Sequence, residues 1–126
     1  MKALVLISHG SFSQGIKESA EMIMGPQENI YSLSLLPEEG AEDFEKKFTD
    51  LIDQLDDFVV FADLAGGTPN NVAARQLLEG KDFQLYAGMN LPMVIAFVNG
   101  QLLDTDMNYL EEAKTNTVNV NEQLGL

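Results

Sequence analysis

Short, solid apolar runs alternate along the chain with longer segments whose apolar residues recur every three or four positions. Ala3 to Ser8 (ALVLIS) and Phe58 to Ala62 (FVVFA) are continuous apolar runs, the pattern of strands buried on both faces of a sheet. Asn29 to Leu36 (NIYSLSLL) and Phe83 to Ala87 (FQLYA) are weaker strand candidates. Between them lie three segments with helical spacing. Phe12 to Met24 puts Ile16, Ala20, Ile23 and Met24 on one face and stops at Gly25-Pro26, a breaker pair. Glu42 to Leu55 carries Phe44, Phe48, Leu51, Ile52 and Leu55 on one side and acids on the other, which reads as a solvated helix surface over a buried stripe. Pro69 to Glu79 opens at Thr68-Pro69 and closes at Gly80, the residues favoured at a helix start and just past its end.

Strand, helix, strand, helix, strand, helix, strand predicts an α/β domain with a parallel sheet covered by helices on both faces. Beyond Gly88 the pattern predicts a short helix from Pro92 to Asn99, a turn at Asn99-Gly100 and a helix around Thr105 to Lys114. The alternation in Thr117 to Gln123 (TVNVNEQ) suggests a small terminal strand. No internal repeat, low-complexity tract or interdomain linker breaks the 126 residues, a length suited to one domain with its own core.

Composition narrows the chemistry. Seven Lys plus Arg against twenty Asp plus Glu give a net charge of −13, which argues against nucleic acid or an anionic membrane as the partner. The absence of Cys excludes disulfides, thiolate nucleophiles and Cys-based metal sites. A single His, His9, rules out a multi-imidazole metal site within one chain, while carboxylate sites for hard cations stay open. The apolar stretch Leu91 to Val98 is far below the ~20 residues of a membrane span, and the five apolar residues after Met1-Lys2 are too few for a signal peptide. The expectation is a cytoplasmic protein without membrane insertion.

In an open parallel sheet, reactive groups gather beyond the carboxyl ends of the strands. The first strand ends in Ser8-His9-Gly10-Ser11, and the third runs into Asp63-Leu64-Ala65-Gly66-Gly67-Thr68-Pro69-Asn70-Asn71. A flavodoxin-like strand order of 2-1-3-4 would bring His9 and Asp63 to the same edge. A carboxylate accepting from one ring nitrogen fixes the tautomer and leaves the other nitrogen as base, nucleophile or ligand. Gly66-Gly67 and the helix start after them, with Gly10 and Ser11 across the cleft, offer backbone N–H groups and a favourable dipole for an anion. Taken singly, a lone His is commonly structural, an Asp at a strand end commonly caps a turn, and Gly-Gly-Thr-Pro commonly just enters a helix. Taken together they suggest phosphoryl transfer, whose loose transition state needs in-line positioning and electrostatic support.

The stretches LVLISHGSFSQGI (4 to 16), ESAEMIMGPQENI (18 to 30), FADLAGGTPNNVAAR (61 to 75) and AGMNLPMVIAFV (87 to 98) resemble the mannose-family enzyme IIA domain of the bacterial phosphoenolpyruvate-dependent sugar phosphotransferase system (PTS). The resemblance implies a flavodoxin-like domain that accepts a phosphoryl group from the phosphocarrier HPr and passes it to an enzyme IIB subunit, serving the membrane IIC/IID permease indirectly. It matches His9 to the phosphorylated histidine and Asp63 to the aspartate that orients its ring. Gly10, Ser11, Gly66, Gly67 and Thr68 fall in the loops around the phosphoryl group, and no metal or organic cofactor is implied. It also implies a homodimer, with Thr117 to Asn121 as the candidate for a strand exchanged between subunits. Ala65 stands where many relatives carry an aromatic residue, and Asn70-Asn71 also varies, so the partner-facing rim is expected to differ. The end at Leu126 leads to the expectation of a free-standing IIA domain over residues 1–126, with the IIB step on another chain.

Other classes fit less well. A chelatase-like metal-insertion enzyme can also begin with a strand ending in His-Gly-Ser, but it generally needs further ligands, usually a second His. A receiver domain with Asp63 as phosphoacceptor would want acidic residues after the first strand to hold magnesium, where Ser8-His9-Gly10 stands. A phosphate-binding signalling module is disfavoured by the lack of a G-x-G-x-x-G fingerprint.

Overall fold

The computed structural model describes residues 2–126. Strands β1 (Ala3–His9), β2 (Ile30–Leu35), β3 (Phe58–Ala62) and β4 (Gln84–Ala87) alternate with helices α1 (Phe12–Met24), α2 (Ala41–Ile52) and α3 (Thr68–Leu78); α4 (Leu91–Leu103), α5 (Tyr109–Thr115) and α6 (Val120–Gln123) follow. The sheet is parallel throughout, in the order β2-β1-β3-β4. The two solid apolar runs are the interior strands, as their two-sided burial requires. Alternate residues of each serve opposite faces. Leu4, Leu6, Val59 and Phe61 join Ile16, Ala20, Val94 and Phe97 in one core cluster; Val5, Ile7, Val60 and Ala62 join Phe44, Phe48, Ile52 and Val72 in the other. Helices α1, α4 and α5 therefore cover one face, and α2 and α3 the other.

The β1–β3 register, Ala3 opposite Phe58 through Ile7 opposite Ala62, brings the two strands to an end side by side. From there the connections diverge, β1 through α1 to the edge strand β2, β3 through α3 to the edge strand β4. That divergence opens a crevice at the carboxyl edge, the topological switch point of an open α/β sheet. On the far side of β2, the Lys47 ammonium ties down the β2–α2 loop, donating to Ser34 O at 2.6 Å and to Glu39 Oε1 at 2.7 Å. The hydrogen bond from Lys47, then that from the Leu36 amide, hold the Glu39 carboxyl below its ordinary pKa.

The C-terminal third departs from the sequence-based expectation in three places. No turn forms at Asn99-Gly100; α4 continues to Leu103 and ends at Asp104, in the left-handed region with φ 51°. Gly100 serves close packing instead, since a Cβ there would lie 2.8 Å from the Thr105 carbonyl oxygen and 3.0 Å from Met107 Cγ. Thr117 to Gln123 forms no strand within the chain. Asn119 caps a helical turn, accepting from the Glu122 amide at 3.2 Å, and this Asn-x-x-Glu capping pattern outweighs the short alternation. Likewise Asn108 accepts from the Glu111 amide at 3.1 Å, starting α5 four residues later than expected.

Candidate functional site

His9 is the last residue of β1, and Asp63 is the first residue beyond β3. The Asp63 amide donates to Ile7 O at 3.1 Å, extending the β1–β3 ladder by one bond. The next bond is of another kind: the His9 amide donates to the Asp63 side chain, to Oδ2, at 2.9 Å. The same oxygen lies 2.8 Å from His9 Nδ1. Because Oδ2 already accepts the amide, it meets the ring as an acceptor too, which places the ring proton on Nδ1 and the lone pair on Nε2. The imidazole side chain is 49% exposed and the carboxylate 14%, so the orienting group is sheltered while about half of the ring side chain is open to solvent. Asp63 Oδ1 is buried and meets no hydrogen-bond donor among the described residues.

Two turns flank the ring. In the β1–α1 turn, Gly10 takes φ 53° and its amide donates to Leu35 O at 2.8 Å. Gly10 thus shapes the turn, and its N–H is not available as an anion donor. Ser11 occupies the N-cap position of α1. Ser8 and Ser13, to which the sequence reading gave no role, pin this turn from inside. Buried Ser8 Oγ accepts from the Ser13 amide at 2.8 Å and donates to Gly10 O at 3.2 Å, while Ser13 Oγ donates to Leu33 O at 3.1 Å. Their signal in the chain is slight: one small polar residue near the end of a solid apolar strand and another five positions later, in the first turn of α1.

The β3–α3 loop supplies the other wall. Gly66 has φ 82°, a conformation glycine adopts without strain, and Gly67 is the N-cap of α3. An ideal Cβ on Gly67 would lie 2.7 Å from His9 Cε1 and 3.5 Å from Nε2, so the head of α3 borders the nitrogen that carries the lone pair. First-turn amides have no intrahelical acceptor; Pro69 has none to offer, which leaves those of Thr68 and Asn70 at this end of the macrodipole. Asn71 braces the loop, donating from Nδ2 to Gly66 O at 3.0 Å. The structure therefore gathers His9, Asp63, Gly10, Ser11, Gly66, Gly67 and Thr68 at one edge. Phe12, three residues after His9, and Leu64, the residue after Asp63, are large exposed apolar side chains, and Ala65 between Leu64 and Gly66 is exposed as well. A groove of about 620 Å³ lined by Ser11, Phe12, Ile16, Met89 and Leu91 continues from Ser11 along α1. Among the described residues, no group of three or more His, Cys, Asp or Glu is placed to hold a metal ion, and no helix is long and apolar enough to cross a membrane.

Three comparisons bear on this arrangement. The protein-family model EIIA-man, described as "PTS system fructose IIA component", matches residues 3–118. The chain is 31% identical over 96 residues, 74% of its length, to the PTS system mannose-specific EIIAB component of Escherichia coli strain K12, of which the match spans 30%. It is 29% identical over 98 residues to the PTS system fructose-specific EIIA component of Bacillus subtilis strain 168, covering 75% of this chain and 67% of that protein. Among solved structures, the PTS IIA protein associated with the fucose utilization operon from Streptococcus pneumoniae superposes with a TM-score of 0.88 at 30% identity, over 98% of this chain and 96% of that one.

Proposed function

Because this chain belongs to the EIIA-man family of PTS IIA components, we propose that it is a sugar-PTS phosphocarrier that takes a phosphoryl group from phospho-HPr on His9 Nε2 and hands it to an enzyme IIB subunit. The observation that carries the reading is the double attachment of His9 to Asp63 Oδ2, through its amide and through Nδ1. In the step, the Nε2 lone pair attacks phosphorus in line, an N–P bond forms, and the donor's bond to phosphorus breaks with its electron pair left on the donor. The ring ends with a proton on Nδ1 and a phosphoryl group on Nε2, and so carries a positive charge. Asp63 sits against that charge, and the sheltered site strengthens the pairing. Onward transfer reverses the bonding, with the ring as leaving group.

The remaining assignments follow from the same reading. Ser11, Gly66, Gly67 and Thr68 surround the phosphoryl group, the last three beside the positive end of α3, while Gly10 sets the turn. Phe12 and Leu64 offer apolar contact to both partners in turn, and the charge of −13 suits a carrier with a basic rim, speeding encounter more than tightening the complex. Residues 1–126 act as one IIA domain in the cytoplasm, as a homodimer, and reach the membrane permease only through IIB.

Incubation with HPr, its upstream enzyme and phosphoenolpyruvate tests this. One acid-labile, alkali-stable phosphoryl group per chain is expected, and none on His9→Ala. Equal labelling of the variant would overturn the assignment.

A further inference from the structure

Gly67 stands at a helix N-cap with φ −79° and ψ 164°, extended backbone that any residue adopts. Serine, asparagine or aspartate there would cap α3 at least as well. Backbone conformation therefore does not call for glycine, in contrast to Gly66. The neighbour does: an ideal Cβ at 67 falls 2.7 Å from His9 Cε1, well inside the 3.4 Å at which ordinary contact begins. Side-chain ends commonly yield to such a clash, but this one is tethered. Its Nδ1 and its own backbone amide are both fastened to Asp63 Oδ2, so swinging Cε1 away from residue 67 draws Nδ1 off the carboxylate.

We propose that Gly67 is a positioning residue: its missing side chain is the seat of the His9 ring, and with Asp63 it holds the imidazole from the Nδ1 and Cε1 side so that Nε2 faces outward. This rests on the phosphocarrier reading for its functional consequence, though the seat itself is a matter of packing. Gly40 provides a matched comparison. It too is a helix N-cap with extended backbone, φ −109° and ψ −174°, yet a Cβ there meets nothing within 4 Å, and it lies outside the site.

The experiment compares Gly67→Ala and Gly40→Ala, each alone and combined with His9→Ala. Alanine caps a helix less well than glycine, so a clash with the ring predicts that Gly67→Ala lowers the melting midpoint clearly more with His9 present than when His9 is alanine, a non-additivity expected of residues in contact. Gly40→Ala should show no such dependence. Nitrogen-15 NMR of the ring reports the tautomer, and Gly67→Ala should lose the preference for Nδ1–H. Potassium phosphoramidate supplies a phosphoryl group without any protein partner: the Nε2–P bond forms, the P–N bond of the zwitterion breaks, and ammonia leaves with the electron pair. That rate should fall about tenfold to a hundredfold in Gly67→Ala, as for displacements of order 1 Å elsewhere, and stay at the parent value in Gly40→Ala.

Additive stabilities, or a ring that keeps its Nδ1–H tautomer and its phosphorylation rate in Gly67→Ala, would overturn the proposal. Should the parent protein take no phosphoryl group on His9 from any donor, the phosphocarrier reading falls, while the stability cycle and the tautomer still decide whether Gly67 seats the ring.

Discussion

Asp63 Oδ2 receives two N–H groups from His9, the backbone amide at 2.9 Å and the ring Nδ1 at 2.8 Å. The amide bond fixes where the ring hangs from, and the ring bond fixes how it is turned. The two share an acceptor, so they are set together.

Replacing that acceptor by a neutral one separates orientation from charge. In Asp63→Asn the amide oxygen still accepts both N–H groups, but the counter-charge for a cationic ring is gone. A hydrogen bond to a charged group contributes about 1.5–3 kcal/mol, so phosphoryl acceptance by His9 is expected to slow about tenfold to a hundredfold, with the thermal melt retained. Quench-flow or gel-based phosphorylation kinetics measure this; an unchanged rate would remove the charge of Asp63 from the mechanism.

The β1–α1 turn depends on one hydroxyl. Ser8→Ala strands the buried Ser13 amide that now donates to Ser8 Oγ at 2.8 Å. An unsatisfied buried donor costs about 1–3 kcal/mol, and urea denaturation should register a loss in that range with an unaltered slope. Phosphorylation should slow as well, because the same turn carries His9 out of β1. Parent-like stability would show that the hydroxyl is dispensable.

Two helical glycines should respond oppositely to the same substitution. Gly15 sits exposed in α1 with nothing within 4 Å of an added Cβ, so Gly15→Ala should stabilise by up to about 1 kcal/mol through helix propensity. Gly100→Ala drives a methyl to 2.8 Å from the Thr105 carbonyl oxygen, a backbone atom, and overpacking of about 1–3 kcal/mol outweighs the propensity gain. Equilibrium unfolding of both variants checks the sign, and a stabilised Gly100→Ala would refute the packing account.

Alkaline pH should unfold the domain through Tyr109. Its ring packs against Phe61, Tyr86 and Phe97, and burial, then the nearby charge of Asp106, pushes the phenol above its ordinary pKa of 10.0. Because the native pKa is raised, the neutral phenol's contribution is complete below pH ~10. As pH rises past that value the unfolded chain ionises first and binds fewer protons, so stability declines until the native pKa is passed. Denaturation midpoints measured between pH 8 and 12 should fall less steeply for Tyr109→Phe than for the parent; identical profiles would exclude this group.

The order of strands and the meeting of His9 with Asp63 were legible from the chain because each leaves a one-dimensional trace. Interior strands are solid apolar runs, and polar punctuation marks the ends of those runs. The seat that Gly67 makes for the ring leaves no such trace: Gly-Gly before Thr-Pro reads as a helix entry, and only the folded chain shows the imidazole in the space beside it. Gly100 was misread for the same reason, a packing glycine resembling a turn glycine. In Thr117 to Gln123 two local codes overlap, and the cap at Asn119 prevails over an alternation too short to be a strand without a partner. Gly10 was expected to offer its amide to an anion; that amide instead bonds the end of β2, a tertiary pairing that spacing does not encode.

In a parallel ladder, the bond after Asp63 N–H to Ile7 O would run from the His9 amide to the main-chain carbonyl of residue 63. Here the carboxylate takes the carbonyl's place. The final rung between the two central strands is thus a side chain, and the main chain at 63 is released one residue early to swing toward Gly67. Fraying of the sheet and loss of the reactive geometry become a single event: any opening at this end of β1 unhooks the ring, and hydrogen exchange at one amide, that of His9, becomes a gauge of how firmly the imidazole is held.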